Sequence, residues 1–511
     1  MVFVRRRAVL LALACGLVGL GLVLLSGAWG SGGPRVGPGS PPAAIVVRAD
    51  APGRRVPFGF LGLSLEYPAI EAYAGSDPRA LDRVFERLVR NLVPGQAPVL
   101  RIGGDSADRT WWPAPGVARA PGIKHAITSR WLSVTRALAS SLRARLILGL
   151  NLEADNPKLA ASEAGALFTG IGSQWVRAFE LGNEPDLYAI LPWYRASDGI
   201  HVRGRLPGYD VAGLIGDWRR FAARLPRRVL AGPSIGTPEW TRQLGSFLAA
   251  EPRVGLVTLH GYPLQLCSVS RRSWRYPTIP HLLAPSSSVG LADSFAPYVA
   301  IARAHGLSLR IDELNSVSCG AARAVSDTFA SALWALNTLF EMVRVGIHGV
   351  NLHTFPGAGY EPFRITRVNG RWQAVVAPQY YGLLLFAQAA PAGSRLLRVS
   401  GGSGGAVRTW ATRAPDGTIR VVLVNSGARA RRLSVGVSGA SAGPAVLEQL
   451  TAPNVRARTG ISLGGQSFGP RTFTGTLSGS PGAVTLSPVN GRYAVTLAAA
   501  SAAMLVLGGS S

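Results

Sequence analysis

From about residue 57 onward, short apolar runs alternate with longer segments whose apolar residues recur every three or four positions. The runs predict strands over Phe60–Glu66, Pro98–Gly103, Arg145–Leu152, Val176–Glu184, Val229–Pro233, Leu256–Tyr262, Ser308–Glu313 and Gly349–Thr354, because a strand buried on both faces reads as one continuous apolar stretch. The spacing between them predicts helices such as Leu81–Leu92, Arg130–Leu142, Val211–Leu225, Phe295–His305 and Phe329–Val345, with a last one near Tyr380–Ala390. Eight strands alternating with helices over residues 57–390 predict an α/β fold, a (β/α)8 TIM barrel with long loops on its active face. A doubly wound open sheet is the structural rival. No Gly-rich dinucleotide fingerprint follows any strand, which disfavours it.

After Pro391 the period changes to strict alternation. Thr418–Asn425, Arg431–Val437 and Tyr493–Leu507 are rich in β-branched residues and separated by Gly, Ser, Pro and Asn. Residues 391–511 therefore read as a C-terminal antiparallel β-sandwich domain. The segment 44–56 precedes the barrel, and its strand Ala44–Arg48 has the option of crossing over to that sandwich.

At 511 residues the chain exceeds a single 250-residue barrel, in keeping with a second module. Nearly half the residues are hydrophobic and 16% are charged, enough for a large core. The net charge of +26 invites a polyanionic partner. However, the cations are almost all scattered arginines, with Lys124 and Lys158 the only lysines, which reads more as an arginine bias than as a patch. No P-loop, zinc-ligand spacing or RNA-binding signature appears, so nucleic acid is not an expected partner.

Arg5-Arg6-Arg7 precede an uncharged apolar run from Ala8 to Leu25, then Ser26-Gly27-Ala28. Residues 1–30 thus read as a signal peptide or an N-terminal membrane anchor, with cleavage slightly favoured. Either leader places the rest of the chain outside the cytoplasm. Residues 31–43 form a Gly/Pro/Ser-rich linker.

The chemistry lies where strands end. Phe179-Glu180-Leu181-Gly182-Asn183-Glu184-Pro185 and Arg310-Ile311-Asp312-Glu313-Leu314-Asn315-Ser316 each deliver a carboxylate to a strand C-terminus. In a barrel such residues converge on one face however distant in sequence. Two convergent carboxylates suit glycoside hydrolysis, one as acid/base and one as nucleophile. Asn183 beside Glu184 can hold a sugar hydroxyl, and Pro185 fixes the backbone where the strand ends. Asp312 and Glu313, as strand neighbours, are expected on opposite faces, with Glu313 at the mouth and Asp312 on a structural partner. Glu66, ending a buried strand, also reads as functional. His260 and His353 read either as site-lining or as satisfied core histidines. Nothing in this set demands a metal or organic cofactor, and a retaining double displacement needs none.

Six motifs in order carry a resemblance. They are Gly62-Leu63-Ser64-Leu65-Glu66, Arg101-Ile102-Gly103-Gly104-Asp105-Ser106-Ala107-Asp108, Glu180-Leu181-Gly182-Asn183-Glu184-Pro185-Asp186, Asp312-Glu313-Leu314-Asn315-Ser316, Pro356-Gly357-Ala358-Gly359-Tyr360 and the trailing β-domain. Together they make residues 44–511 resemble glycoside hydrolase family 79, the β-glucuronidase and heparanase group. The resemblance implies a retaining enzyme acting on a glucuronic-acid-containing glycoside, oligosaccharide or polysaccharide. It implies Glu184 as acid/base, Glu313 as nucleophile, Glu66 and Asn183 as sugar-hydroxyl ligands, and Tyr262 beside the nucleophile. It further implies that the uronate carboxylate is held by the Gly320 amide and by Tyr360. Asp105 is placed among the substrate-binding residues too, where the family often has Asn or Thr. Cys319 replaces a common second Gly, and Ser318 stands where a Tyr can help.

Three alternatives stay open: a xyloside- or arabinoside-cleaving barrel, a catalytically dead sugar-binding barrel, and a cell-surface protein that binds through its β-domain. With Cys15 in the leader, an exported chain retains only Cys267 and Cys319, an even pair expected to form a disulfide between neighbouring active-face loops.

Overall fold

The structure, a computed structural model, describes residues 42–508 apart from 228, 403–404 and 441–442. The leader and most of the linker read from the sequence lie outside the described residues. Among the described residues no helix is long and apolar enough to cross a membrane.

Eight parallel strands close into a barrel in sequence order: Leu61–Glu66, Val99–Gly103, Arg145–Leu150, Val176–Leu181, Leu230–Ile235, Val254–Gly261, Leu309–Leu314 and Gly349–Thr354. They are referred to below as strands one to eight. Closure is sealed by strand eight pairing with strand one, Val350 opposite Leu61 and Thr354 opposite Leu65. Nearly every residue of these strands is buried, which is why the apolar runs were continuous.

Helices return the chain between strands. Side-chain caps start several of them: Thr128 accepts from the Trp131 amide, and Asn156 from the Lys158 and Leu159 amides ahead of Pro157–Ile171. The helix Phe329–Val345 is buried on nearly all sides and stops at Gly346, whose φ of 93° no ordinary residue adopts comfortably. Its first amides, Phe329 and Ala330, donate to the carbonyls of Ala457 and Val455, which belong to the C-terminal module.

That module is a curled ten-stranded sheet. Alternation along one strand shows how it packs. Val421 and Leu423 join an apolar core internal to the module, with Ile45, Val435, Tyr493 and Leu505. Val422 and Val424 point the other way and join the core shared with the barrel helices. The strand Ala43–Arg55 inserts into this sheet, antiparallel to Arg395–Gly401 on one side and parallel to Arg431–Ser438 on the other. The latter pairing is the exception to an otherwise antiparallel sheet.

Candidate active site

Arg101 on strand two organises the barrel mouth. It is fully buried among strand ends, and its guanidinium reaches Glu180 Oε2 and Glu313 Oε2 at 2.6 Å and Asp312 Oδ2 at 3.1 Å. It also donates to Asn183 Oδ1 at 2.8 Å and to Ser64 Oγ at 3.1 Å. The sequence reading quoted Arg101 in a motif but gave it no role. A cation inside the apolar run Leu100–Ile102 was the signal, because such a charge must be paired.

Asp312 corrects an expectation. It and Glu313 both reach Arg101, so they do not lie on opposite faces. The cause is a bulge: Ile311 pairs with Leu259 and Glu313 with His260, leaving Asp312 as an extra residue on strand seven. Burial and the neighbouring Glu180 push the Asp312 carboxyl far up, so it stays protonated and donates to Glu180. Burial opposes ionisation of Glu180 as well, but Arg101 and that hydrogen bond hold its carboxyl below the usual range.

Glu313 accepts from Tyr262 Oη at 2.7 Å in addition to Arg101. Burial alone would raise its carboxyl, but positive neighbours hold it well down. His353 lies 3.7 Å away and is itself pushed down by burial, hence neutral at neutral pH. The charge that keeps Glu313 ionised therefore comes from His260 and Arg101.

Glu184 follows strand four in a left-handed backbone conformation, φ 48°, with its amide donating to the Ser234 carbonyl. Such a conformation in a non-glycine is strained and is typical of functional positions. His260 Nδ1–H donates to Glu184 Oε1 at 2.9 Å. Burial pushes the Glu184 carboxyl up and the Glu313 charge adds to this, while His260 opposes. Burial lowers His260, but Glu313 and the bond to Glu184 more than reverse this, up to about 10. The mouth thus holds two cations, Arg101 and His260, two carboxylates kept ionised, Glu180 and Glu313, and two pushed up, Asp312 and Glu184.

Glu184, His260 and Glu313 place one donor atom each within 4.8 Å of one another. A metal ion does not suit them. Arg101 and the imidazolium of His260 already supply the positive charge, and a third cation would be repelled.

The remaining residues named from the sequence surround this pair. Glu66 accepts from the Ser106 amide at 2.8 Å, and His353 Nε2 lies 3.6 Å away. Burial and Asp105 push Glu66 up to about 8. Gly104 makes this possible, since a Cβ there would stand 2.3 Å from Glu66 Oε1. Asp105 is exposed and accepts from Asn183 Nδ2 at 3.3 Å. Asn183 is held from behind by Asp108, which takes its amide at 2.8 Å, as well as the Tyr188 hydroxyl and two amides at the end of strand three.

Tyr360 is buried against the rings of Tyr262, His353 and Phe355, 6.1 to 6.5 Å between centroids. Gly320 is exposed on the facing loop, with its carbonyl close to Gly359. Cys319, Gly320 and Ala321 have φ of 64°, 87° and 73°. Three left-handed residues in a row are costly when two are not glycine. This stretch is tied by a disulfide from Cys319 to Cys267, Cα atoms 6.0 Å apart, and by the short pairing of Leu264–Gln265 with Val317–Ser318.

Comparison with solved structures bears on the fold. A 4-O-α-L-rhamnosyl-β-D-glucuronidase from Fusarium oxysporum 12S superposes with a TM-score of 0.71 at 19% identity, covering 90% of this chain and 100% of that one. A GH51 arabinofuranosidase from Xanthomonas axonopodis pv. citri gives 0.66 at 16% identity, over 91% and 99% of the two chains. A GH30 endoxylanase from Clostridium papyrosolvens C71 gives 0.54 at 12%, over 91% and 100%. No protein-family model and no curated protein matches the chain. The likeness establishes the fold: a TIM barrel with a β-domain, as found in glycoside hydrolases that include a β-glucuronidase.

Proposed function

We propose that the chain is a retaining glycoside hydrolase of the family 79 type, cleaving β-linked glucuronic acid. The observation that carries the reading is the paired carboxyls of Glu184 and Glu313. They stand within 4.8 Å by their nearer donor atoms, with ionisation driven in opposite directions. Retaining enzymes hold their two carboxyls about 5–5.5 Å apart, and inverting ones about 6.5–9.5 Å.

In this mechanism Glu313, ionised, attacks the anomeric carbon while Glu184 gives its proton to the departing oxygen. The C–O bond to the leaving group breaks as the bond to Glu313 forms. Water then replaces the ester, its proton going to Glu184 and the electron pair of the ester bond returning to Glu313. Tyr262, donating to Glu313 Oε1, steadies the carboxylate before attack and after release. Tyr360 and the Gly320 amide are assigned the uronate carboxylate. The neutral state of Glu66 below about pH 8 limits the negative charge facing that group. The arginine-led apolar N-terminal segment and the disulfide together support action outside the cytoplasm.

A panel of aryl β-glucuronide, glucoside, xyloside and α-arabinofuranoside tests the reading. Turnover of the glucuronide above the others is expected, with Glu313→Gln abolishing it. Glu184→Gln should slow a poor leaving group far more than an activated aryl one. Preference for the arabinofuranoside would transfer the assignment to that class, for which the GH51 likeness is the support.

A further inference from the structure

A cleft of about 640 Å³ opens where the β-module meets the end of helix Phe329–Val345. Its origin lies in the strand pairing. Strands Arg395–Gly401 and Val407–Arg413 pair antiparallel at Arg395 with Arg413 and at Leu396 with Thr412, and the ladder stops there. Continued in that register, Arg398 would stand opposite Trp410. On the other flank, Arg48 and Pro52 pair with the consecutive residues Arg398 and Leu397, which leaves Ala49, Asp50 and Ala51 as extra residues. A sheet that parts on one side of a strand and bulges on the other leaves a hollow beside that strand. Helix Phe329–Val345 leads into the start of strand eight, so the hollow lies toward the floor of the barrel, away from Glu313 at the mouth.

Alternation sets what faces it. Leu397, Val399 and Ala411 pack into the core internal to the module. Leu396, Arg398 and Trp410 therefore point the other way, and Leu396 and Trp410 indeed join the core shared with the barrel helices. Trp410 is half-buried: its indole stacks on Phe340, 5.3 Å between centroids, and Nε1–H donates to Asn337 Oδ1 at 3.3 Å. The rest of the ring borders the cleft, as do Arg54, Arg344 and Arg398. The nearby acids are already engaged, Asp293 and Glu341 by Arg344 and Asp50 by Arg48. Arg54 donates to the Arg344 carbonyl at 2.8 Å, and Arg398 is exposed. Neither has an acidic partner within 4.0 Å among the described residues.

An apolar hollow rimmed by two unneutralised guanidinium groups is complementary to a molecule that is apolar at one end and anionic at the other. We propose that this cleft is a second ligand site, taking a small aromatic or alicyclic carboxylate or sulfonate, with the ring against Leu396 and Trp410 and the anionic head on Arg398 and Arg54. Its volume falls within the range of about 300–1,000 Å³ usual for small-molecule sites, which concentrate at domain seams. A bare inorganic anion would leave the indole and leucine walls uncovered. The site is separate from the paired carboxyls, so the inference stands whether or not the chain cleaves glucuronides.

The test is isothermal titration calorimetry on the full chain with 2-naphthoate, and with 2-naphthamide as its uncharged counterpart. The acid should bind about tenfold or more tightly than the amide, with an affinity that falls as salt is raised. Arg398→Glu changes an exposed side chain and should abolish that preference while leaving the melting temperature unchanged. Trp410→Leu should weaken both ligands about tenfold. Because Trp410 also packs in the seam, Arg54→Glu serves as the second variant and should act as Arg398→Glu does. Equal affinity for acid and amide overturns the proposal, since no anionic head is then held. Naphthoate binding unmoved by Arg398→Glu and Arg54→Glu overturns it by placing the ligand elsewhere. Inorganic sulfate that competes at the same concentration as naphthoate would make the cleft an anion site only, and overturns it too.

Discussion

Asp312 and Glu180 make the same kind of contact with Arg101, yet the structure assigns them opposite ionisation, and this can be measured. Asp312→Asn replaces a protonated carboxyl by an amide that still donates to Glu180, so a cost under about 1 kcal/mol is expected. Glu180→Gln removes the partner of a cation with no exposed surface, paired at 2.6 Å, and should cost about 3–5 kcal/mol. The pH dependence gives a sharper distinction. Above the unfolded aspartate value of about 3.9 the native state keeps a proton on Asp312 that the unfolded chain has lost. That stabilisation is complete below this value and declines as pH rises, until Asp312 ionises in the folded protein. The wild type should therefore lose stability with rising pH more steeply than Asp312→Asn, by about 1.4 kcal/mol per pH unit. Guanidinium unfolding followed by tryptophan fluorescence at a series of pH values reads both quantities. Equal costs for the two variants, or parallel pH slopes for wild type and Asp312→Asn, would refute the shared-proton arrangement.

Other outcomes follow from the same geometry. Tyr262→Phe removes a hydrogen bond to a charged group, typically about 1.5–3 kcal/mol, and should move the acid limb of the kcat/KM profile up by about 1–2 pH units; an unmoved limb means Tyr262 does not hold Glu313 in solution. Tyr360→Phe should depress glucuronide hydrolysis about tenfold or more while sparing the matching glucoside, and an equal fall on both would make Tyr360 a packing residue. The mature protein, unfolded without reductant, should titrate no free thiol. Cys319→Ser should release the strained turn and raise KM for the glucuronide alone, so two free thiols or an indifferent KM would remove that role for the disulfide.

All eight barrel strands were legible because burial on both faces writes itself as an unbroken apolar run. Glu184 and Glu313 were legible because each ends such a run beside residues that cannot continue it. The bulge at Asp312 was not, since one extra residue leaves no trace in a run already apolar on both sides. Arg101 was visible as an oddity, but its partners come from strands four and seven, and only closure of the barrel unites them. Nor could the sequence say that the His260 ring would stand between Glu184 and Ser234, with Nδ1 on the one and Nε2 on the other. The C-terminal carbonyls that cap Phe329–Val345 were equally hidden, because segment 452–461 has no period of its own.

The placement of strand Ala43–Arg55 has a consequence in time. Its carbonyl at Val47 accepts from Ser438, 391 residues later, and its pairing partners all lie beyond residue 394. At ordinary rates of synthesis, roughly 5–20 residues per second, the first strand made waits about 20–80 s for its neighbours to exist. Through that interval it is an unpaired edge on a growing chain, open to any other strand that passes. The helix Phe329–Val345 waits in the same way for its capping carbonyls. A barrel released without residues 391–511 would carry both vacancies permanently, so its fate is set when the C-terminal module has been made and not at the completion of its eighth strand.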